Sequence, residues 1–385
     1  MTAVEDTTRT EDAPGEFLDQ GWSTPMTIPV LDQADPAERI RAVARSEFGA
    51  LAIPELFGGA GLSLLDVASA QRALARVDPG TAIAVNMHSL SIGVMVDYWK
   101  RHHDDSWMLL EGIANSKALV ASAFAEPGGS PNFMKSVSQA TPTAKGYLIS
   151  GTKFPCSLAT TAEIYCLSAN VTGTGESVVG LCPAKSPGIT VGAPWESVGM
   201  RGSDTARVVF DNVELDDRLV FHRAPPDDFD EVVVSGIVWF VTLVSATYHG
   251  VLTSLLEYAV AGARKRGAAV GGQRQLEIGR AARELYLLGS ACRQLAHEWE
   301  TTTMGERNGL AAAMALRAGL SATRERVVTA LTPVLGAQLF TAGDAAAGLA
   351  IDSLAVHHHP PNLMSCDEAV GALHLGHPMS FNPTA

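Results

Sequence analysis

The chain has 385 residues, of which 46% are hydrophobic and 18% charged, and it carries a net charge of −13. A chain of this size buries a large core and has room for two or three domains, so it reads as a folded globular protein. The charge excludes a general nucleic-acid binder, because neutralising phosphates needs clustered Lys and Arg, and the longest basic run is Arg264-Lys265-Arg266.

Residues 1–20 are polar, rich in Thr, Asp, Glu and Pro, and lack the basic-then-apolar order of a secretory signal; they predict a loose tail. Over 21–117, apolar residues recur at spacings of three and four, as in AERIRAVARSEF from Ala37 and LDVASAQRALARV from Leu65, which predicts a helical N-terminal domain. Over 118–222, β-branched and aromatic runs such as YLISG, IYCLSAN, SVVGLC and ARVVFDNVEL are separated by Gly, Pro and Ser turns, the pattern of a small sheet or barrel. Helical periodicity returns over 223–385, in long alanine- and leucine-rich stretches and a last helix near Cys366 to Leu375, with HRAPPDDFDE from His222 as the connector. The fold class is α+β, mostly α.

From Val232 to Leu256 no residue is charged, long enough for a membrane span. Polar residues from Ser235 to Ser254 interrupt it and no basic cluster flanks it, so it reads as a core helix, with no membrane partner. Cys156, Cys166, Cys182, Cys292 and Cys366 are scattered without metal spacing, which fits small buried thiols in a reducing cytoplasm, and no HExxH pattern supports a metal. There is no GxGxxG with a following acidic ribose binder and no Walker loop, so a nicotinamide-binding Rossmann unit is not expected and any reducing equivalents from NADH need a separate reductase.

Four segments stand out in order: LAIPELFGGAGLSLLDV from Leu51, SAFAEPGGS from Ser122, GYLISGTKF from Gly146 and GMRGSDTARVVFDNVEL from Gly199. Together they resemble the acyl-CoA dehydrogenases. The resemblance implies an N-terminal helical domain, a middle β-barrel and a C-terminal four-helix bundle, with FAD, or alternatively FMN, between barrel and bundle. An isoalloxazine ring needs a flat slot with close backbone approach. The resemblance assigns Phe124, Ala125, Gly129 and Ser130 to its lining, and Pro155 and Ser157 to the segment after Gly151-Thr152-Lys153-Phe154 near its reactive edge. The alternative for Ser157 is a turn serine capping backbone groups.

Arg264 and Gln275 match the arginine and glutamine with which a neighbouring subunit grips the flavin diphosphate in that family, a guanidinium offering phosphate a planar pair of donors. Gly336 and Ala337 resemble a degraded form of the glycine pair approaching from the same partner. A homodimer or homotetramer follows from this assignment; the alternative for Arg264 is a solvated surface residue.

Desaturating an acyl thioester requires a carboxylate near the α-carbon. By resemblance it belongs either in a late loop, here AVHHHPPN from Ala355, or on the central helix near Val238 and Trp239, and neither position holds an acid. The loop instead carries His357, His358 and His359, of which at most two can enter one site. With His88 in AIAVNMHSLSIGV and Ser157, this resembles the flavin-dependent monooxygenases of the same fold, such as the dibenzothiophene monooxygenases. In those enzymes a flavin C4a-(hydro)peroxide is held by hydrogen-bond donors away from water. His88, Ser157 and the three late histidines are the catalytic candidates, with a satisfied core histidine as the alternative for His88. Met87, Tyr98, Arg201, Trp239 and Phe240 are candidates for the substrate pocket, with core packing as the alternative for Met87, Tyr98, Trp239 and Phe240.

The expectation is thus a cytoplasmic FAD-dependent oxidoreductase, with monooxygenation of a small aromatic or acyl-thioester substrate favoured. The alternatives are an acyl-CoA or acyl-carrier-protein α,β-dehydrogenase with a displaced base, and a flavin-fold protein that only binds.

Overall fold

Amphipathic segments with well-formed caps build the N-terminal half. In the computed structural model, which describes residues 16–23, 27–128, 134–225, 229–265, 272–301 and 305–379, four helices come first: α1 (Pro36–Arg45), α2 (Leu64–Val77), α3 (Pro79–His102) and α4 (Trp107–Ser116). Ser63 caps α2 through a capping box with Asp66, and Asp78 caps α3 by accepting from Thr81 N at 3.0 Å, with Pro79 opening the helix.

The expected loose tail differs from what is seen for residues 16–20. Leu18 is buried, Asp19 accepts from Arg72 Nη2 at 2.5 Å, and the guanidinium groups of Arg72 and Arg293 each lie 5.3 Å from the ring centre of the nearby Trp22. Two apolar side chains among polar neighbours are enough to dock this segment.

Among the described residues eight strands follow: β1 (Val120–Ala123), β2 (Gln139–Thr143), β3 (Gly146–Cys156), β4 (Ile164–Val171), β5 (Ser177–Pro183), β6 (Ile189–Val191), β7 (Ala206–Asp216) and β8 (Val220–Ala224). They form one sheet in the order β6-β7-β3-β2-β4-β5-β8, with β1 parallel to β4. Tyr165 on β4 and Phe210 on β7 stack edge to face at 5.7 Å. Three strand spacings separate β4 from β7, about 14 Å in a flat sheet, so the sheet curls round its own apolar core. His222 to Ala224, expected in the connector, are strand.

The C-terminal half is α5 (Glu231–Lys265), α6 (Gln273–Glu300), α7 (Glu306–Leu335), α8 (Ala345–Leu354) and α9 (Leu363–His374). Asp230 caps α5 by accepting from Val232 N and Val233 N. By length and composition α5 could cross a membrane, but its most apolar window is wholly buried, packed on α2, α3, α6 and α7. N-terminal and C-terminal helices share one core through this helix.

Candidate functional site

A cavity of about 640 Å³ opens where the N-terminal helices, the sheet and the C-terminal helices meet. Its size is that of a small-molecule site. From α3 come Ile83, Met87 and Leu90, at the i, i+4, i+7 positions of one helix face. Ser122, Phe124 and Ala125 come from β1 and the segment after it, and Pro155 and Ser157 from the end of β3. The segment between β6 and β7 supplies Trp195, Glu196, Ser197, Met200, Ser203 and Thr205; α5 supplies Phe240; α8 and the turn after it supply Leu354 and His357, His358 and His359.

The GMRGSDTA stretch forms part of this wall for local reasons. The Asp204 carboxylate accepts four bonds of 2.7–3.0 Å, from the backbone N–H and hydroxyl of both Thr160 and Thr161. Asp352 on α8 accepts from Met200 N at 2.6 Å. One carboxylate ties the segment to the sheet and the other to the helices. Gly202 packs against Gly80 so tightly that a Cβ on Gly80 would stand 2.5 Å from Gly202 N, which sets the turn on the start of α3.

Hydroxyl groups run along one side. Ser157 Oγ lies 2.9 Å from Thr205 Oγ1, which lies 2.8 Å from Ser203 Oγ. On the other side His359 Nε2 is 2.7 Å from the hydroxyl of Tyr248, a buried residue of α5. Burial, and then the charges of Arg317 and His358, push the His359 imidazole down to about 3, so it is neutral at physiological pH. His357 is lowered as well, chiefly by burial and the Arg324 charge. Among the described residues the lining includes no Lys or Arg, and Glu196 is its one carboxylate, on the exposed rim.

Phe124, Ala125, Pro155, Ser157, Met87, Phe240 and the three late histidines therefore converge on one pocket. Other candidates do not. The expectation of a catalytic His88 is not met: its Nε2 donates to Gly49 O at 2.9 Å and its Nδ1 accepts from Val120 N at 3.0 Å, so both ring nitrogens are used by backbone away from the cavity. The expectations for Tyr98, Trp239 and Arg201 fail similarly. Tyr98 stacks on Phe221 and His222, Trp239 donates from Nε1 to Asp97 at 2.8 Å, and Arg201 turns outward, donating to Ser197 O at 3.2 Å. Gly129 and Ser130 lie outside the described residues. Arg264 at the end of α5, Gln275 at the start of α6, and Gly336 and Ala337 after α7 are exposed and do not line this pocket.

Trp195, Glu196, Thr205 and Tyr248 were not singled out in sequence. Thr205 lies inside the GMRGSDTARVVFDNVEL segment, whereas Tyr248 in the sequence is only a polar interruption of an apolar helix.

A flavin fits these residues. The apolar walls from Phe124, Pro155, Trp195 and Phe240 suit a flat tricyclic ring, and hydroxyl and imidazole groups stand ready for its polar edge.

Residues 16–102 match the family described as "Acyl-CoA dehydrogenase, N-terminal domain", and residues 121–213 match "Acyl-CoA dehydrogenase, middle domain". Isobutylamine N-hydroxylase from Streptomyces viridifaciens is 31% identical over 269 residues, 66% of this chain and 70% of that protein. Amino sugar nitrososynthase DnmZ from Streptomyces peucetius is 29% identical over 58% of this chain and 55% of its own length. The structure of KijD3 in complex with FMN and dTDP-3-amino-2,3,6-trideoxy-4-keto-3-methyl-D-glucose superposes with a TM-score of 0.81 at 25% identity, covering 90% of this chain and 88% of that one. The α3 and sheet-domain segments that wall the cavity lie within the two matched domains, and with a relative of that identity and coverage the chain belongs to the acyl-CoA dehydrogenase superfamily of flavin-dependent oxidoreductases.

Proposed function

We propose that this chain uses a bound flavin to N-hydroxylate a small primary amine. The observation that carries the reading is the composition of the pocket wall. Hydroxyl and neutral imidazole groups converge beside an apolar slot, and the segment after α8 brings histidines where a thioester dehydrogenase needs an acid. The similarity to an isobutylamine N-hydroxylase and to an amino sugar nitrososynthase supports nitrogen as the atom oxidised.

When bound in this slot, reduced flavin would supply the two electrons needed to split dioxygen, one oxygen atom going to the amine as a hydroxylamine and the other leaving as water. The chain supplies the surroundings. Phe124, Pro155, Trp195 and Phe240 keep the slot dry, which strengthens every polar contact inside it. Ser157, Thr205 and His359 offer hydrogen bonds to the transferred oxygen, and Glu196 on the rim attracts a cationic amine. With no cation on the described wall, the pocket favours a simple amine over a phosphorylated substrate.

The test supplies purified protein with FMN or FAD, a flavin reductase, NADH and oxygen, and screens short primary amines by mass spectrometry and oxygen uptake. A hydroxylamine formed in step with oxygen consumption is expected. Anaerobic bleaching of the flavin band by an acyl-CoA without reductant overturns the reading in favour of dehydrogenation.

A further inference from the structure

Behind His359, away from the cavity, lies a buried assembly that the flavin-site expectations did not involve. Arg317 on α7 is 1% exposed, and its Nη2 donates to the carbonyls of Val356 at 2.9 Å and His359 at 2.5 Å, while Nη1 donates to Ser321 Oγ at 2.8 Å. Among the described residues no carboxylate pairs with this guanidinium, although a buried cation is expensive unless it is compensated. Two carbonyl groups and a hydroxyl compensate it here, and both carbonyls belong to the histidine segment, so the cation is the internal anchor of that segment.

The groups around the imidazole are Tyr248 on α5, Arg317 on α7, and His357 and His358 on its own segment, with Cys366 on α9 beside Arg317 and Asp352 on α8 acting on Tyr248. None of those acting directly on the ring is a carboxylate, so nothing offsets the cation, and the imidazole holds a single proton. Burial raises the Tyr248 phenol, which keeps its own proton, and the acceptor within reach of that O–H is His359 Nε2 at 2.7 Å. The tautomer of a neutral imidazole follows the bond made by its other nitrogen. If Nε2 accepts from the interior, Nδ1 carries the hydrogen.

We infer that Tyr248 and Arg317 are positioning residues that hold His359 as the Nδ1–H tautomer, so that it meets the cavity as a hydrogen-bond donor and not as a base. The role given to that donor, holding the oxygen destined for the amine, rests on the N-hydroxylation reading; the tautomer does not. Removing the amine's proton then falls outside His359, and the rim carboxylate Glu196 or solvent takes it.

The decisive measurement is a long-range nitrogen–proton NMR spectrum of the full chain labelled with ¹⁵N-histidine, with His359 assigned by its loss in His359→Gln. The native protein shows the Nδ1–H pattern, unchanged between about pH 5.5 and 8. Tyr248→Phe shifts the pattern to Nε2–H or a mixture and lowers kcat about tenfold with KM for the amine nearly unchanged. Arg317→Met moves the His359 titration upward, with burial still holding it below the ordinary imidazole range, and Arg317→Lys, which keeps the cation, leaves it in place. An Nε2–H pattern in the native protein, or a Tyr248→Phe spectrum identical to it, overturns the inference. A correct tautomer in a protein that hydroxylates no amine leaves the inference standing and sinks only the reaction.

Discussion

Lys153 Nζ and Glu126 Oε1 lie 2.7 Å apart, with side-chain exposures of 0% and 7%, and join the strand leading to Pro155 and Ser157 to the segment that follows Phe124 and Ala125. Lys153 also donates to Ser136 Oγ and Ser168 O, while Glu126 accepts from Val137 N, Ser138 N and the hydroxyls of Ser136 and Ser138. Two walls of the cavity are thus held in register by one ion pair.

Replacing one partner strands the other charge in the interior. Lys153→Met or Glu126→Gln is expected to cost about 3–5 kcal/mol in denaturant unfolding and to weaken flavin binding. The double variant Glu126→Leu/Lys153→Met recovers much of the stability, because an apolar pair needs no compensation. Flavin affinity that recovers equally shows that the pair has no part in aligning the walls.

Acid sensitivity follows from the same pair. Although burial alone raises the Glu126 carboxyl, the Lys153 charge and the hydroxyl donors hold it down at about 2 against an ordinary 4.5. A depressed carboxyl contributes stability that is complete above its unfolded value and is lost as pH falls from about 4.5 towards about 2. Thermal melts across that range should drop more steeply for the native protein than for the apolar double variant.

His88→Ala removes the acceptor for Val120 N and the donor to Gly49 O, leaving buried backbone unsatisfied. The expected result is a loss of about 1–3 kcal/mol in stability with kcat of the folded enzyme unchanged. A fall in kcat without a fall in melting temperature returns His88 to the catalytic set.

Ser157→Ala leaves Thr205 with Ser203 alone as its partner and removes one donor from the pocket. Oxygen uptake should continue while hydroxylamine per oxygen falls about tenfold, the remainder appearing as hydrogen peroxide. Equal yields of product per oxygen in both proteins remove the serine from the reaction.

Glu196→Gln tests the charge on the rim. An exposed carboxylate attracting an ammonium is worth up to about 1 kcal/mol, so KM for the amine should rise about fivefold at low salt, with kcat kept and the difference shrinking as salt is added. An unchanged KM places the amine elsewhere.

The helix-sheet-helix order was legible because hydrophobic period changes from near four to two and back, a signal that survives without tertiary context. Phe124, Pro155, Ser157 and the late histidines were legible through the resemblance of the segments that carry them to the acyl-CoA dehydrogenases and to the flavin-dependent monooxygenases of the same fold. His88 and His359 show the limit. His88 sits in an apolar helix and His359 follows two other histidines before a proline pair, but one spends both nitrogens on backbone and the other lines a cavity, and that difference lies in partners 32 to 111 residues away. Arg317 left no trace in sequence, since nothing local marks an arginine that folds inward onto carbonyls.

Along α5, Trp239 reaches Asp97, Phe240 lines the cavity, Tyr248 holds His359, and His249 accepts from Arg72, which binds the N-terminal segment. Inserting one residue would turn everything beyond it by about 100° and advance it by about 1.5 Å, uncoupling all of these partners together. The irregular segments that line the same cavity, 195–205 and 355–360, are held instead by side-chain tethers and a few backbone bonds. New substrates are therefore reached by lengthening or shortening those two tethered stretches, while the long helix serves as the ruler against which each replacement is measured.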